Sequence, residues 1–379
     1  MKIVIDKRQL QLSLQRVQGI VEKRSTMPIL SNVLIETTNG GIHVVATDLE
    51  IGVRGFYPGV VHDTGGITLS ARKLFEIVRE LPEGEVTLST EENHWAIIQS
   101  GRSYFKMIAL PPGDFPALPA FVEKEMVPMS SDILLDLIKR TVFATADGDT
   151  RQILNGILLE ISVVEKQTKI RVVGTDGHRL SLAEKQLKAV EPPWKESDAP
   201  RQIVIPKKAV LEIRRLLEDG ESDLLIGLMK NQIGFKFGQL FLMSRLLEGT
   251  YPNYQQVIPP QADKFIKVNR SDFEGVLKRV VLFSREKTHA VVMEVSKGRA
   301  LLSSNNPEVG EAKEDLPVEY EGEKLTIGFN ARYLLEALGA MDTDTAIIEI
   351  QNPLSPCVLR QDNGKDYLWV VMPLRLQEL

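Results

Sequence analysis

Apolar residues recur at spacings of three and four in three widely separated segments. They are Leu10, Leu14 and Val17 within 6–20; Ile133, Leu134, Leu137 and Ile138 within 131–143; and Phe273, Val276, Leu277 and Val280 within 271–283. That spacing puts each set on one face of a helix. Strand-like runs follow each helix, at 32–37 and 42–46, at 156–162 and 169–174, and at 291–295 and 300–304. A second round then begins with short strands at 67–69, 203–205 and 325–328. Helices open at Ser70, Pro206 and Asn330, and more strand-like runs close each unit. Ser70, Ser131, Ser271 and Asn330 are suited to cap helix N-termini. Pro82-Glu83-Gly84 and Asp219-Gly220 are turn signals between strands.

The order helix, strands, helix, strands therefore occurs three times. One polar turn marks each copy: Thr175-Asp176-Gly177-His178-Arg179-Leu180 after an apolar strand, Thr47-Asp48-Leu49 earlier, and the degraded Ser304-Asn305-Asn306 later. Thr47, Thr175 and Ser304 lie 128 and then 129 positions apart. Glu76, Glu212 and Glu336 also fall in register on the second helices. A fixed interval of that size indicates a whole domain copied three times. Proline and glycine gather at 111–127 and 249–261. The expectation is an α+β fold of three domains, 1–125, 126–258 and 259–379, each of two helix-plus-sheet halves.

Charge changes this picture more than composition does. The chain has 46 Lys and Arg against 51 Asp and Glu, a formal net charge of −5. The six predicted helices hold 17 of those cations and 10 of those acids, which leaves them at +7 and the remainder at −12. Amphipathic helices ordinarily carry some basic residues on their wet faces. A net +7 summed over the six on an acidic chain instead suggests a common surface that attracts phosphate. No zinc finger, basic zipper or aromatic RNA-reading pattern appears, so backbone binding without sequence preference is expected. One cysteine, Cys357, excludes an intramolecular disulfide and a cysteine zinc cluster. No apolar run approaches the ~20 residues of a membrane span, and Asp6 interrupts any export signal. These features favour a cytoplasmic protein.

Candidate chemistry is sparse. Asp176 and His178 offer an acid–base pair, but Leu49-Glu50 and Asn306-Pro307 occupy the matching places and no nucleophile accompanies them. Asp147-Gly148-Asp149 resembles a fragment of a calcium loop without its remaining ligands. No Walker or dinucleotide-binding pattern is present, and no cofactor or metal is called for. A repeat-built enzyme acting through Asp176 and His178 is the competing reading to a non-catalytic DNA-binding scaffold.

Several strings together carry a specific resemblance. Arg151-Gln152-Ile153-Leu154-Asn155-Gly156, Thr175 to Leu180, Tyr251-Pro252-Asn253-Tyr254 and Val370-Val371-Met372-Pro373-Leu374-Arg375-Leu376 resemble the bacterial DNA polymerase III beta subunit, the sliding-clamp family. Ser70-Ala71-Arg72-Lys73 and Gly101-Arg102-Ser103 extend the match along the whole chain. The resemblance implies a ring-shaped head-to-tail homodimer with twelve helices around duplex DNA, a processivity factor without catalysis of its own. It implies DNA contacts at Arg24, Arg72 and Lys73, at the loop of Gly148, Gln152 and Ile153, and at Lys207 and Lys208. Gly148 lacks a side-chain amide, and Gln152-Ile153 replaces an aromatic pair of the family.

The resemblance further implies a groove for a short peptide carried by the replicative polymerase, the clamp loader and other partners. Its apolar part would comprise Leu154, Thr175, Gly177, His178, Arg179, Leu180, Pro252, Val257, Val370 and Met372. Gln256 stands beside it where a basic residue is frequent. Arg151, Asn330, Tyr333, Pro373, Leu374 and Arg375 would form the adjoining part, with the tail Gln377-Glu378-Leu379 nearby. The implied dimer interface joins Arg102, Phe105 and Met107 of one subunit to the third domain of the next, near Leu282, Phe283 and 300–304. Glu308, Glu311, Glu314 and Asp315 would face Arg102 and Lys106 there.

Overall fold

The protein is seen in a computed structural model that describes residues 1–21, 27–118, 126–164, 167–187, 201–220, 223–229, 231–260, 262–362, 364 and 366–376. All six helices form where periodicity places them: α1 (Lys7–Val17), α2 (Ala71–Glu80), α3 (Ser131–Thr141), α4 (Lys207–Glu218), α5 (Arg270–Val280) and α6 (Ala331–Gly339). Their apolar faces are buried; Leu10, Leu14, Leu137, Phe273, Leu277 and Leu338 lie in the core. Local side chains fix the starts. Asp6 accepts from the Arg8 amide at 2.8 Å, and Asn330 accepts from the Arg332 amide at 3.0 Å. Two expected caps fall inside their helices: Ser131 is the first residue of α3, and α5 is capped by Asn269, whose Oδ1 accepts from the Asp272 amide at 3.0 Å and from the Ser271 hydroxyl at 2.7 Å. An asparagine one residue before the helix reaches the orphan amides that a serine inside it cannot.

Six of the observed strands have no counterpart among the strand-like runs: Lys2–Asp6, Ile51–Pro58, Val60–Asp63, Val127–Ser130, Lys264–Asn269 and Gly310–Pro317. Ile51–Pro58 carries two glycines, and Gly310–Pro317 alternates charges with little apolar content. The segment after Thr175-Asp176 also runs on as Arg179–Leu187, well beyond Leu182.

The described chain divides into two compact units, one of 1–132 with 211–246 and one of 133–210 with 247–379. The first unit holds a five-stranded sheet in the order Val60–Asp63, Lys2–Asp6, Glu85–Glu91, Trp95–Ser100, Ser103–Ile108. Its eight-stranded sheet joins two sequence-distant halves where Leu240–Arg245 pairs antiparallel with Ile51–Pro58. The second unit holds another eight-stranded sheet with the same kind of seam, Arg179–Leu187 against Tyr367–Val371. Its remaining sheet has four strands, with Gly310–Pro317 at one edge, then Arg299–Asn306, Ala290–Ser296 and Leu325–Asn330.

The marker turns prove to be the same object twice. Thr47 Oγ1 donates to the Ile51 carbonyl at 2.9 Å and accepts from the Leu49 amide, while Asp48 accepts from the Glu50 and Ile51 amides. Thr175 Oγ1 donates to the Arg179 carbonyl at 2.6 Å and accepts from the Gly177 amide, while Asp176 accepts from the His178 and Arg179 amides. A threonine followed by an aspartate thus satisfies the turn's own amides and starts the seam strand in both copies. In the third copy Ser304 Oγ donates to the Ala290 carbonyl instead, so this turn is built differently.

The turn needs a left-handed residue at its third position, and Gly177 adopts φ +89° there without penalty. Leu49 adopts φ +77° at the equivalent place, which costs a side-chain-bearing residue roughly 1–2 kcal/mol. Replacing the exposed Leu49 by Gly, which also loosens the unfolded chain by ~0.5–1 kcal/mol, is expected to raise the melting temperature slightly. Calorimetric melting checks this, and a lowered midpoint would show that the Leu49 side chain stabilises the turn by contacts that exceed its strain.

Candidate functional site

The second unit carries a cavity of about 120 Å³ lined by the marker turn and by two other distant pieces of sequence. Thr175, Gly177, Arg179 and Leu180 come from the turn and its strand; Pro252, Asn253, Tyr254 and Val257 from the linker; Val370 and Met372 from the last strand and its exit. Leu154 and Arg151 complete the lining. The seam brings these pieces together, because Leu180 pairs directly with Val370 across it. Leu158, Val173, Leu182 and Tyr251 support the floor from the buried core. Val257 and Met372 are 42% and 37% exposed, so the mouth presents apolar surface to solvent. An apolar cavity with a few fixed polar groups is the usual form of a binding site for a small apolar group.

The chain's end is shaped by Pro373, which has no amide to continue the ladder. The Met372 amide donates to the His178 carbonyl at 2.9 Å, and the Leu374 amide donates to the Gly328 carbonyl at 2.8 Å. The tail is thereby carried from the cavity to the strand that precedes α6. His178 contributes this backbone acceptor and does not line the cavity; Gln256 is exposed on the short 3-10 turn Tyr254–Val257 and does not line it either. Arg179 links the two parts of the site. Its guanidinium donates to Asp176 at 3.0 Å, to Glu336 of α6 and to the Phe143 carbonyl at 2.6 Å, and lies 4.5 Å from the Tyr333 ring centre. Burial pulls this guanidinium below its ordinary value, while Asp176 and Tyr333 oppose the shift. Asp176 is therefore occupied by its own turn and by Arg179, with no bond to the His178 ring.

At the other rim, Arg151 donates to Asp149 at 2.9 and 3.1 Å and more weakly to the Asp176 carbonyl. The Arg151 side chain and amide pull the Asp149 carboxyl down to about 2. Asp149 also accepts the Asn155 side-chain amide on its carbonyl, and the Ala146 amide donates to the Leu154 carbonyl, which closes the 146–155 loop on itself. Within it Gly148 sits at φ +69°, Gln152 is exposed, and Ile153 packs against the buried core. Asp147 pairs with Lys207 at 3.0 Å.

The remaining expected residues lie on wet surfaces. Arg72 and Lys73 are exposed on α2 and share Glu76, at 3.0 and 2.8 Å. Lys208 is exposed on α4. Arg24 and the tail Gln377–Leu379 lie outside the described residues. Arg102 and Phe105 are exposed and Met107 half-buried along Ser103–Ile108 and its turn, while Leu282 is exposed and Phe283 packs against Gly310. Glu314 pairs with Arg279 at 3.0 Å, Glu311 with Lys313 at 2.9 Å and Lys106 with Glu91 at 2.8 Å within the chain.

Sequence reasoning missed Asn253 and Tyr254 as lining residues, although both lie in a string it singled out. No local spacing marked Tyr254: it begins the 3-10 turn Tyr254–Val257, Tyr251 lies before that turn, and the Tyr254 hydroxyl is held by the sequence-distant Glu160 and Arg171.

With this geometry established, three family matches cover nearly the whole chain: the N-terminal, central and C-terminal domains of the DNA polymerase III beta subunit, over residues 1–119, 128–253 and 255–375. The beta sliding clamp of Caulobacter vibrioides is 35% identical over 380 residues, covering 99% of this chain and all of that protein. A sliding clamp structure from Bartonella birtlesii, bound to griselimycin, superposes with a TM-score of 0.92 at 37% identity, covering 99% of this chain and all of that one. A DNA polymerase III beta subunit structure from Pseudomonas aeruginosa gives a TM-score of 0.90 at 34% identity, again over 99% and 100%. The chain belongs to the DNA polymerase III beta subunit family, the beta sliding clamps.

Proposed function

We propose that two copies of this chain close head to tail into a ring around duplex DNA, and that the cavity receives a short apolar peptide from DNA polymerase and other replication proteins. Family membership makes the chain a DNA polymerase processivity factor, a non-catalytic accessory subunit in DNA replication. In this reading it has three domains, 1–125, 126–258 and 259–379, and acts in the cytoplasm. No helix among the described residues is long and apolar enough to cross a membrane.

The observation that carries the ring is that, among the described residues, the third copy has no seam. In copy one, Thr47 pairs with Gly52, which pairs across the seam with Met243. In copy two, Thr175 pairs with Leu180, which pairs with Val370. In copy three, Ser304 pairs with Ala312, whose strand Gly310–Pro317 has an open outer edge. The strand Ser103–Ile108 ends its own sheet with an open edge too. Tyr104, Phe105 and Ile108 are exposed on the one, and Leu282 and Val309 beside the other. An open edge with apolar surface seeks a partner strand, and a heterologous contact that closes makes a ring.

Met243 and Val370 are each the fourth residue of their strand, and Lys106 is the fourth of Ser103–Ile108. The expected partner of Ala312 is therefore Lys106 of the second copy. Cysteines introduced by Ala312→Cys and Lys106→Cys are expected to cross-link the dimer on mild oxidation. Cys357 is fully buried and burial pushes its thiol up, so it stays silent. A stable dimer that yields no cross-link would overturn this register, and a dimer that survives Leu282→Ala with Phe283→Ala undiminished in sedimentation would overturn the interface.

Two further expectations concern the ligands. Phosphate contacts carry no sequence information, so Arg72→Ala with Lys73→Ala should weaken retention on circular DNA equally for all sequences. It should also flatten the salt dependence by about one counterion per lost contact. An unchanged salt slope in filter binding would contradict the contact. In the cavity, Met372→Ala removes one adaptable apolar wall worth ~1.5 kcal/mol or more, so a Gln-, Leu- and Phe-containing peptide should bind about tenfold more weakly. Calorimetric titration tests this; wild-type affinity in a folded, dimeric variant would place the peptide elsewhere.

A further inference from the structure

Behind the cavity, four polar side chains form one row across four strands. Gln202 is the Cα partner of Glu160, Glu160 of Arg171, and Arg171 of Glu184. They share a sheet face with the apolar row one step nearer the cavity, Val204, Leu158, Val173 and Leu182. Glu160 is only 6% exposed, a carboxylate that has no place beside such a core without dedicated partners. It has them: Gln202 donates to its Oε1 at 2.6 Å, and Tyr254 donates its hydroxyl to its Oε2 at 2.7 Å. Arg171 approaches Oε2 at 3.3 Å, donates to the Tyr254 hydroxyl at 2.9 Å, and donates twice to Glu184 at 2.7 and 2.9 Å.

Burial alone would lower the Arg171 guanidinium, yet its bonds to Glu184 and Tyr254 hold it above its ordinary value. Burial and the bond to Glu160 push the Tyr254 phenol up, which keeps it a proton donor at neutral pH. The Tyr254 oxygen therefore sits between a fixed acceptor and a fixed donor. Its ring lines the cavity, and its backbone begins the 3-10 turn Tyr254–Val257 that also supplies Val257 to the mouth.

We infer that Glu160 and Arg171 are positioning residues for the peptide cavity, anchoring the linker wall of Pro252 to Val257 through the Tyr254 hydroxyl. The inference rests on the cavity being the partner site. Neither residue reaches the cavity; each acts through Tyr254. The row is a cross-strand charge ladder of the kind that fixes register, and here it also ties down a segment without regular strand pairing.

The test uses the full-length protein. Tyr254→Phe keeps the ring and removes the hydroxyl, so apolar peptide affinity by calorimetry should fall about three- to tenfold, the span of one net hydrogen bond. Arg171→Met should give a similar loss, and the double variant should lose little more, because both changes cut one link. Amide hydrogen exchange at 254–258 should quicken in each variant while exchange in α3 and α6 stays unchanged, a local signature that general destabilisation does not give. Glu160→Gln retains an acceptor and should keep most of the affinity, whereas Glu160→Ala should not. Wild-type affinity in Tyr254→Phe, additive losses, or exchange at 254–258 that stays slow in folded variants would overturn the anchor. If the unaltered protein binds no such peptide, the cavity's assignment fails, and the exchange measurement still decides whether the anchor exists.

Discussion

An unpaired strand edge in water or against a core leaves a row of amide and carbonyl groups to be satisfied, and this constraint organises the chain. Each seam joins the small sheets of two half-modules that are distant in sequence, one covering the edge of the other. Two of these edges are covered within the chain, at Leu240–Arg245 against Ile51–Pro58 and at Tyr367–Val371 against Arg179–Leu187. The pairing is specified by register, since a slip of one residue would turn Leu180 and Val370 away from the core they share. The open edge Gly310–Pro317 carries Glu311, Lys313, Glu314 and Asp315, charges that discourage indiscriminate strand addition while leaving backbone groups for a matched partner.

The cavity is a consequence of one seam. Where the Thr175 turn starts a seam strand, its last rung lies next to the end of the partner strand, and Pro373 sends that end away from the sheet. The space left is walled by whatever linker crosses it. In the second copy the crossing residue, Tyr254, is tied to a buried charge row. In the first copy the matching seam residue is Gly52, and Leu118 packs where a larger side chain there would stand. The same architecture is thus open in one copy and filled in another by exchanges between leucine, glycine and tyrosine.

Much of this was legible in the residues. Helix periodicity and the recurring Thr-Asp pair gave the six helices and the threefold copy, because both are local signals that survive tertiary context. The strands Ile51–Pro58 and Gly310–Pro317 were not legible, since the glycines of the first and the charges of the second hide the alternation that marks a strand. Ile51–Pro58 pairs on one side with its neighbour Gly41–Thr47 and on the other with Leu240–Arg245, almost two hundred residues away, and no local pattern specifies the second pairing. The cavity lining followed from resemblance for Leu180, Val257, Val370 and Met372. Tyr254 escaped because its role depends on Glu160 and Arg171, which only strand register brings beneath it.

The positive helices also look different once paired side chains are considered. Arg72 and Lys73 share Glu76, Arg214 faces Glu218, Lys278 faces Glu274 and Arg332 faces Glu336, all within one turn of the same helix. Exposed pairs of this kind are worth about 0–1 kcal/mol, so a phosphate can take either cation from its carboxylate at little cost. A surface of free arginines would grip a backbone and resist translation along it. A surface whose cations already have weak partners exchanges one contact for another of similar strength. Attraction to DNA without commitment to any phosphate follows from the glutamates as much as from the basic residues. In the ring proposed above, the in-register Glu76 and Glu336 would stand beside the helix cations on the surface that meets DNA, where they temper the excess of +7.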